Sequence, residues 1–173
     1  MKLEQAPDFK KTQELLALFA DLRKTRRPLN LTTDEFDKVL RWKLCGQYGR
    51  TKKHHAGNSD ELLRNITQCT FSISHDERDY RLQLRTGLLC VLRGVGVPVA
   101  SAILALTHPE DYGVIDVRGW RQVFGGKRTQ FSVSDYLRYM KELWRLADEL
   151  GPTWSPQKVD YAIWVYDAQH SGI

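Results

Sequence analysis

The chain predicts an all-α fold, and three observations carry that reading. Apolar residues recur at helical spacing in long windows, Gly and Pro punctuation is sparse, and N-terminal capping signatures stand ahead of several of those windows. The Val114-Ile115 pair is too short for a sheet. About eight helices follow, forming one helical domain over residues 1–173, a length that a single core covers.

The first helix spans 11–23, with Leu15, Leu16, Phe19 and Leu22 on one face and Arg23, Lys24, Arg26 and Arg27 trailing toward Pro28. That basic run suits a helix C-terminus or a polyanion. Thr32 and Glu35 form a capping box for a helix carrying Phe36, Val39, Leu40 and Leu44, which ends near Gly46 and Gly49. Residues 50–59 read as a polar basic loop, after which Asn58 and Glu61 box a helix with Leu62, Leu63 and Ile66. A helix over 79–92 precedes a turn at Gly94-Val95-Gly96, and another runs from about Pro98 to Leu106. A short helix opens near Asp116. Ser132 and Asp135 box a long helix carrying Tyr136, Leu137, Met140, Leu143, Trp144, Ala147 and Leu150, stopped by Gly151-Pro152. Ser155-Pro156 starts the last helix, with Val159, Ile163, Trp164 and Tyr166 as its apolar residues.

Hydrophobic residues at 42% and charged residues at 27% exclude disordered, collagen-like and membrane-spanning classes. The net charge of +5 leans toward an anionic partner. The N-terminal stretch MKLEQAPDFKKTQELL lacks the apolar core of an export signal, so the expected location is the cytoplasm, nucleoid or nucleus, with no membrane partner. Cys45, Cys69 and Cys90 are too far apart for paired metal-binding spacing, and buried, reduced thiols are expected.

The chemistry-bearing window is Leu92 to Leu104, LRGVGVPVASAIL. A tight helical hairpin needs positive φ or close backbone approach at its turn, which Gly94 and Gly96 accept. Pro98 suits a first helical turn, and Ala100, Ser101 and Ala102 permit close helix packing. Free N–H groups of the turn, from Gly94 through Val95 and Gly96 to Val97, together with the helix dipole suit a phosphate oxygen without regard to base identity. An ordinary helix-ending turn uses the same glycines.

The pattern Leu92-x-Gly94-Val95-Gly96-x-x-x-Ala100-x-x-Ile103-Leu104 resembles the helix-hairpin-helix signature of the base-excision DNA glycosylase superfamily that includes endonuclease III. The element spans 84–106 and the wider resemblance about 84–124. The segment Gly113-Val-Ile-Asp116-Val-Arg118-Gly-Trp120-Arg121 is similar to the family's segment that carries its aspartate. In lyase-active members a lysine stands two positions after the last hairpin glycine, with the aspartate 18 residues further on. Here those positions are Pro98 and Asp116. Arg41-Trp42-Lys43-Leu44 ahead of the hairpin is similar to a group of short, uncharacterised relatives of the glycosylases.

The resemblance implies an orthogonal helical bundle that binds double-stranded DNA, extrudes a nucleotide and hydrolyses its N-glycosidic bond, with Asp116 as the catalytic carboxylate. Because Pro98 replaces the lysine, it implies monofunctional hydrolysis without an AP lyase step through that position. No cysteine follows Cys90, so the iron–sulfur cluster of some members is not expected, nor is any other cofactor or metal. Arg118 and Arg121 suit phosphate contact or surface ion pairs. Arg50, Lys52 and Lys53, with the His54-His55 pair, form the densest basic segment and suit phosphate contact. Gln47 is the nearest match to a residue that fills the gap left by the flipped base, and Trp42 or Tyr48 suits base stacking. The alternatives are a non-catalytic hairpin module that contacts DNA or protein, and a purely structural helical domain, since an Asp at a helix start is also a favoured N-cap.

Overall fold

The computed structural model describes residues 8–170. Residues 1–7, part of the stretch read for an export signal, and 171–173 lie outside the described residues. The helices are α1 (Phe9–Thr25), α2 (Thr33–Leu44), α3 (Tyr48–His55), α4 (Asp60–Ser72), α5 (Arg78–Leu89), α6 (Val97–Thr107), α7 (Val117–Phe124), α8 (Val133–Leu150) and α9 (Pro156–His170), with a 3-10 turn over Cys45–Gln47. Among the described residues there is no strand, and the all-helical class with about eight helices holds.

Helix α6 is the hub. It is apolar on every side, and all its residues from Val99 to Thr107 are buried, as an all-round hydrophobic helix must be in a folded chain. Helices α1, α2, α5 and α8 pack against it, while α7, α8 and α9 pack on one another. One main hydrophobic cluster runs from Phe19 to Val159. No helix of the described residues is long and apolar enough to cross a membrane.

The capping boxes at Thr32/Glu35 and Ser132/Asp135 form as the sequence predicts. Three local expectations are corrected. First, the basic segment read as a loop over 50–59 is helical as far as His55. Its composition is a poor helix former, but tertiary contacts hold both ends: the Tyr48 hydroxyl donates to Asp37, and His55 is buried against Phe36. Second, α4 is capped by Ser59, whose hydroxyl accepts from Leu62 N. Asn58 instead turns its side chain to the hairpin, donating to Arg93 O at 2.9 Å and accepting from Arg93 N at 3.0 Å. Third, the cysteines are free thiols, but Cys45 and Cys69 are exposed and Cys90 is half-buried.

Between α6 and α7 the chain passes through the interior. Tyr112, Val114 and Ile115 are buried, so this strap's backbone needs partners that water does not supply. Side chains provide them one at a time. Gly113 O accepts from Tyr136 Oη at 2.8 Å, Val114 N donates to Asp160 Oδ2 at 3.1 Å, and Ile115 N donates to Ser101 Oγ at 3.1 Å. The strap delivers Asp116 to the start of α7.

Candidate functional site

Asp116 is the N-cap of α7, and its Oδ1 accepts from Gly119 N at 2.8 Å. Its second oxygen, Oδ2, lies 3.8 Å from Lys43 Nζ. Lys43 comes from the last turn of α2, and its ammonium also donates to Ile115 O at 3.3 Å. The Lys43 side chain is 10% exposed and that of Asp116 26%, and both groups border one opening, the carboxylate the more exposed of the two.

That opening is a cavity of about 100 Å3 whose wall includes Asp116, Lys43, Trp42, Gln157, Tyr161 and Trp164. Its size suits one small ring, below the roughly 300–1,000 Å3 of sites for drug-sized ligands. Trp42 is fixed in the wall by Nε1, which donates to Thr12 Oγ1 at 3.1 Å. Asp160 also lines the cavity and is buried, accepting from Tyr139 Oη at 2.7 Å and from Val114 N. Burial and the charge of Asp116 push its carboxyl up to about 7. A larger groove of about 460 Å3 shares Asp8, Trp42 and Cys45 with this cavity and carries the cations Lys11, Lys38 and Arg41.

The hairpin is a separate feature. Gly94, Val95, Gly96 and Val97 do not line the Asp116 cavity. Gly94 has φ +76°, and a Cβ there would stand 2.7 Å from His55 Nδ1, so both reasons for glycine apply. Gly96 corrects the expectation: its φ is −97° and a Cβ would meet nothing nearer than 3.8 Å. Val95 N is already used, donating to Leu92 O at 3.1 Å, and the side chains of Val95 and Val97 are buried. The amides of Gly94, Gly96 and Val97 find no acceptor among the described residues, as an anion site at a helix start requires.

Helix α3 ends against this turn through His55. The structure therefore brings Arg50, Lys52 and Lys53, all exposed, onto the helix that abuts the hairpin. A single stretch of chain from Trp42 to His55 joins the cavity wall to the turn. Gln47 is exposed within the 3-10 turn. Tyr48 lies outside the cavity, bonded to Asp37 and covered by Arg41, whose guanidinium carbon is 4.4 Å from the ring centroid. Arg118 and Arg121 are engaged within the fold. Arg121 makes a forked pair with the buried Asp167 at 2.7 and 2.9 Å, and Arg118 lies 3.9 Å from the same carboxylate and over the ring of Trp164.

Sequence reasoning missed the α9 contribution. Gln157, Asp160, Tyr161 and Trp164 stand at i, i+3, i+4 and i+7, one face of a helix. The apolar reading took in Trp164 but passed over Gln157, Asp160 and Tyr161, and it included Tyr166, which is exposed. The available signal was a polar pair, Gln157 and Asp160, in phase with two aromatics. Lys43 was visible only as part of a motif. No model of a known protein family, no curated protein and no solved structure matches the chain.

Proposed function

We propose that this protein binds double-stranded DNA and hydrolyses the N-glycosidic bond of an extruded nucleotide, with Asp116 as the reacting carboxylate. The observation that supports it most is the placement of Asp116 on a cavity walled by Trp42 and Trp164, with Lys43 beside it. Extrusion is required because a duplex hides the bond from any side chain. The C1′–N bond breaks with its electron pair leaving on the base, and the sugar gains positive character that a carboxylate stabilises. Water then bonds to C1′, its proton passing to Asp116 or solvent. The open amides of the hairpin and the cations of α3 are the phosphate-binding part of this reading, independent of sequence.

The hairpin and the cavity are distinct features, so grip and chemistry separate experimentally. Duplexes carrying a panel of damaged bases are incubated with wild type and with Asp116→Asn, since Asn serves equally well as an N-cap. Expected is base release by wild type, loss of release in the variant, and duplex binding by both. No release with retained binding favours the non-catalytic module, and Asp116 is then a cap alone. Pro98 stands at the second position of α6 and carries no amine, so borohydride traps no covalent adduct at that position. An adduct at Lys43 overturns the monofunctional reading.

A further inference from the structure

Tyr161 is 9% exposed, and its hydroxyl is buried without a hydrogen-bond partner among the described residues. Buried hydroxyls are nearly always paired, and an unmade bond costs about 1–3 kcal/mol. Tyr161 belongs to the Asp116 cavity, one helical turn from Gln157. Gln157 is 5% exposed; its backbone N–H donates to Pro109 O, and its side-chain amide bonds to no described residue. Two polar groups on one face of α9 thus lack a partner among the described residues at the same cavity, the Tyr161 hydroxyl shut off from solvent and the Gln157 amide still open to it.

The surroundings narrow what satisfies them. Tyr161 and Trp164 lie parallel within 9°, and with the pinned Trp42 they make flat aromatic walls, which favour a planar ring. Asp8 and Asp116 on the wall repel an anion. A cation finds its places taken, because Lys43 already faces Asp116 and Arg118 sits 4.9 Å from the centroid of Trp164. Burial, with the charge of Asp8 added, raises the Tyr161 phenol above its ordinary value, so it keeps its hydrogen and offers a donor.

We propose that Tyr161 and Gln157 determine specificity: the ligand of the Asp116 cavity is a neutral planar heterocycle with a ring carbonyl facing the Tyr161 hydroxyl and the adjoining polar edge facing the Gln157 amide. The identification of that heterocycle as a nucleobase rests on the glycosidic reading above. A site built to hydrogen-bond one group rejects the analogue that lacks it, because its own buried group is then left unpaired.

The test uses single-ring heterocycles in matched pairs, 4(3H)-pyrimidinone against 4-aminopyrimidine and 2-pyrimidinone against 2-aminopyrimidine, each pair exchanging its one carbonyl for an amino group. Binding is read from the Trp42 and Trp164 indole signals by NMR titration of wild type, Tyr161→Phe and Gln157→Leu. Expected is at least tenfold tighter binding of the carbonyl heterocycle in each pair. That preference falls below twofold in Tyr161→Phe, and Gln157→Leu weakens both members. The proposal is overturned if no heterocycle binds, if the amino heterocycles bind equally well, or if Tyr161→Phe keeps the preference. Base release from duplexes is scored separately. Selective binding without release leaves the recognition standing and removes the glycosidic reading, whereas release without carbonyl preference does the reverse.

Discussion

Tyr139 donates its phenolic hydrogen to Asp160 Oδ1 at 2.7 Å, and both residues are buried. The pair sits beneath the strap that carries Asp116, because Asp160 Oδ2 holds Val114 N. It also leaves no room for a side chain at position 119, where a Cβ would stand 2.3 Å from the Tyr139 hydroxyl oxygen. The carboxyl of Asp160, at about 7, lies above the usual carboxylate value of about 4. The folded chain therefore holds this proton more tightly than the unfolded chain. The resulting stability is full below pH ~4 and is lost as pH rises through about 7, each unit being worth about 1.4 kcal/mol. Asp160→Asn keeps the shape and removes the titration. Urea unfolding of the two proteins from pH 5 to 8 is expected to show wild type losing ground to the variant as pH rises, and parallel curves would refute the assignment.

Asp116 carries a structural duty that is measurable apart from chemistry. Its Oδ1 caps α7 through Gly119 N, so Asp116→Ala is expected to cost about 0.5–2 kcal/mol, and Asp116→Asn a small fraction of that. Thermal unfolding of both variants checks it. Equal losses would show that the Lys43 pairing, and not the cap, carries the stabilisation.

His108 predicts the acid limit of the fold. Burial lowers its imidazole to about 4, with the positive charges of Arg23 and Arg85 adding to the effect. Its ring packs near Phe71 with centroids 5.4 Å apart, and Nδ1 meets Thr107 Oγ1 at 3.0 Å. Because the folded value lies below the unfolded value of about 6.5, stability is full above pH ~6.5 and is lost as pH falls through 4. The loss amounts to about 3 kcal/mol. Replacement by Gln removes this slope, so the variant's urea midpoint is expected to gain on wild type between pH 6.5 and 4.5.

The two hairpin glycines separate folding from binding. Gly94→Ala places a Cβ at positive φ and against His55, which costs about 1–2 kcal/mol from the backbone alone. Gly96→Ala makes only an ordinary van der Waals contact with Pro98 at an ordinary φ, and its stability is expected to stay within about 0.5 kcal/mol of wild type. Under the proposed grip, Gly96→Ala weakens duplex binding equally for all sequences. Unchanged affinity in a folded Gly96→Ala protein removes the turn from the interface.

Much of the fold was legible because it is written locally. Thr32/Glu35 and Ser132/Asp135 cap where their spacing says, and Asp116 opens α7 where a helix was expected. The unreadable parts depend on distant partners. Helix α3 exists because Asp37, Phe36 and Gly94 receive its two ends, and nothing within residues 48–55 announces them. Tyr139 escaped the apolar count of α8 although it is fully buried, since its partner Asp160 lies 21 residues away. The polar face of α9 was hidden for the same reason. A buried Gln or Asp looks like surface until the wall that it faces is known.

The Asn58 side chain holds both backbone groups of Arg93, as a neighbouring strand would. The hairpin turn thus acquires a second anchor in the loop between α3 and α4. The open amides and the cations of α3 thereby belong to one preassembled unit. Under the proposed grip, a phosphate meets turn amides whose backbone was ordered at folding, so affinity is not spent on arranging them. Asn58→Ala is in that sense a substitution in the linkage between the turn and the basic helix, though it touches neither a glycine nor a cation.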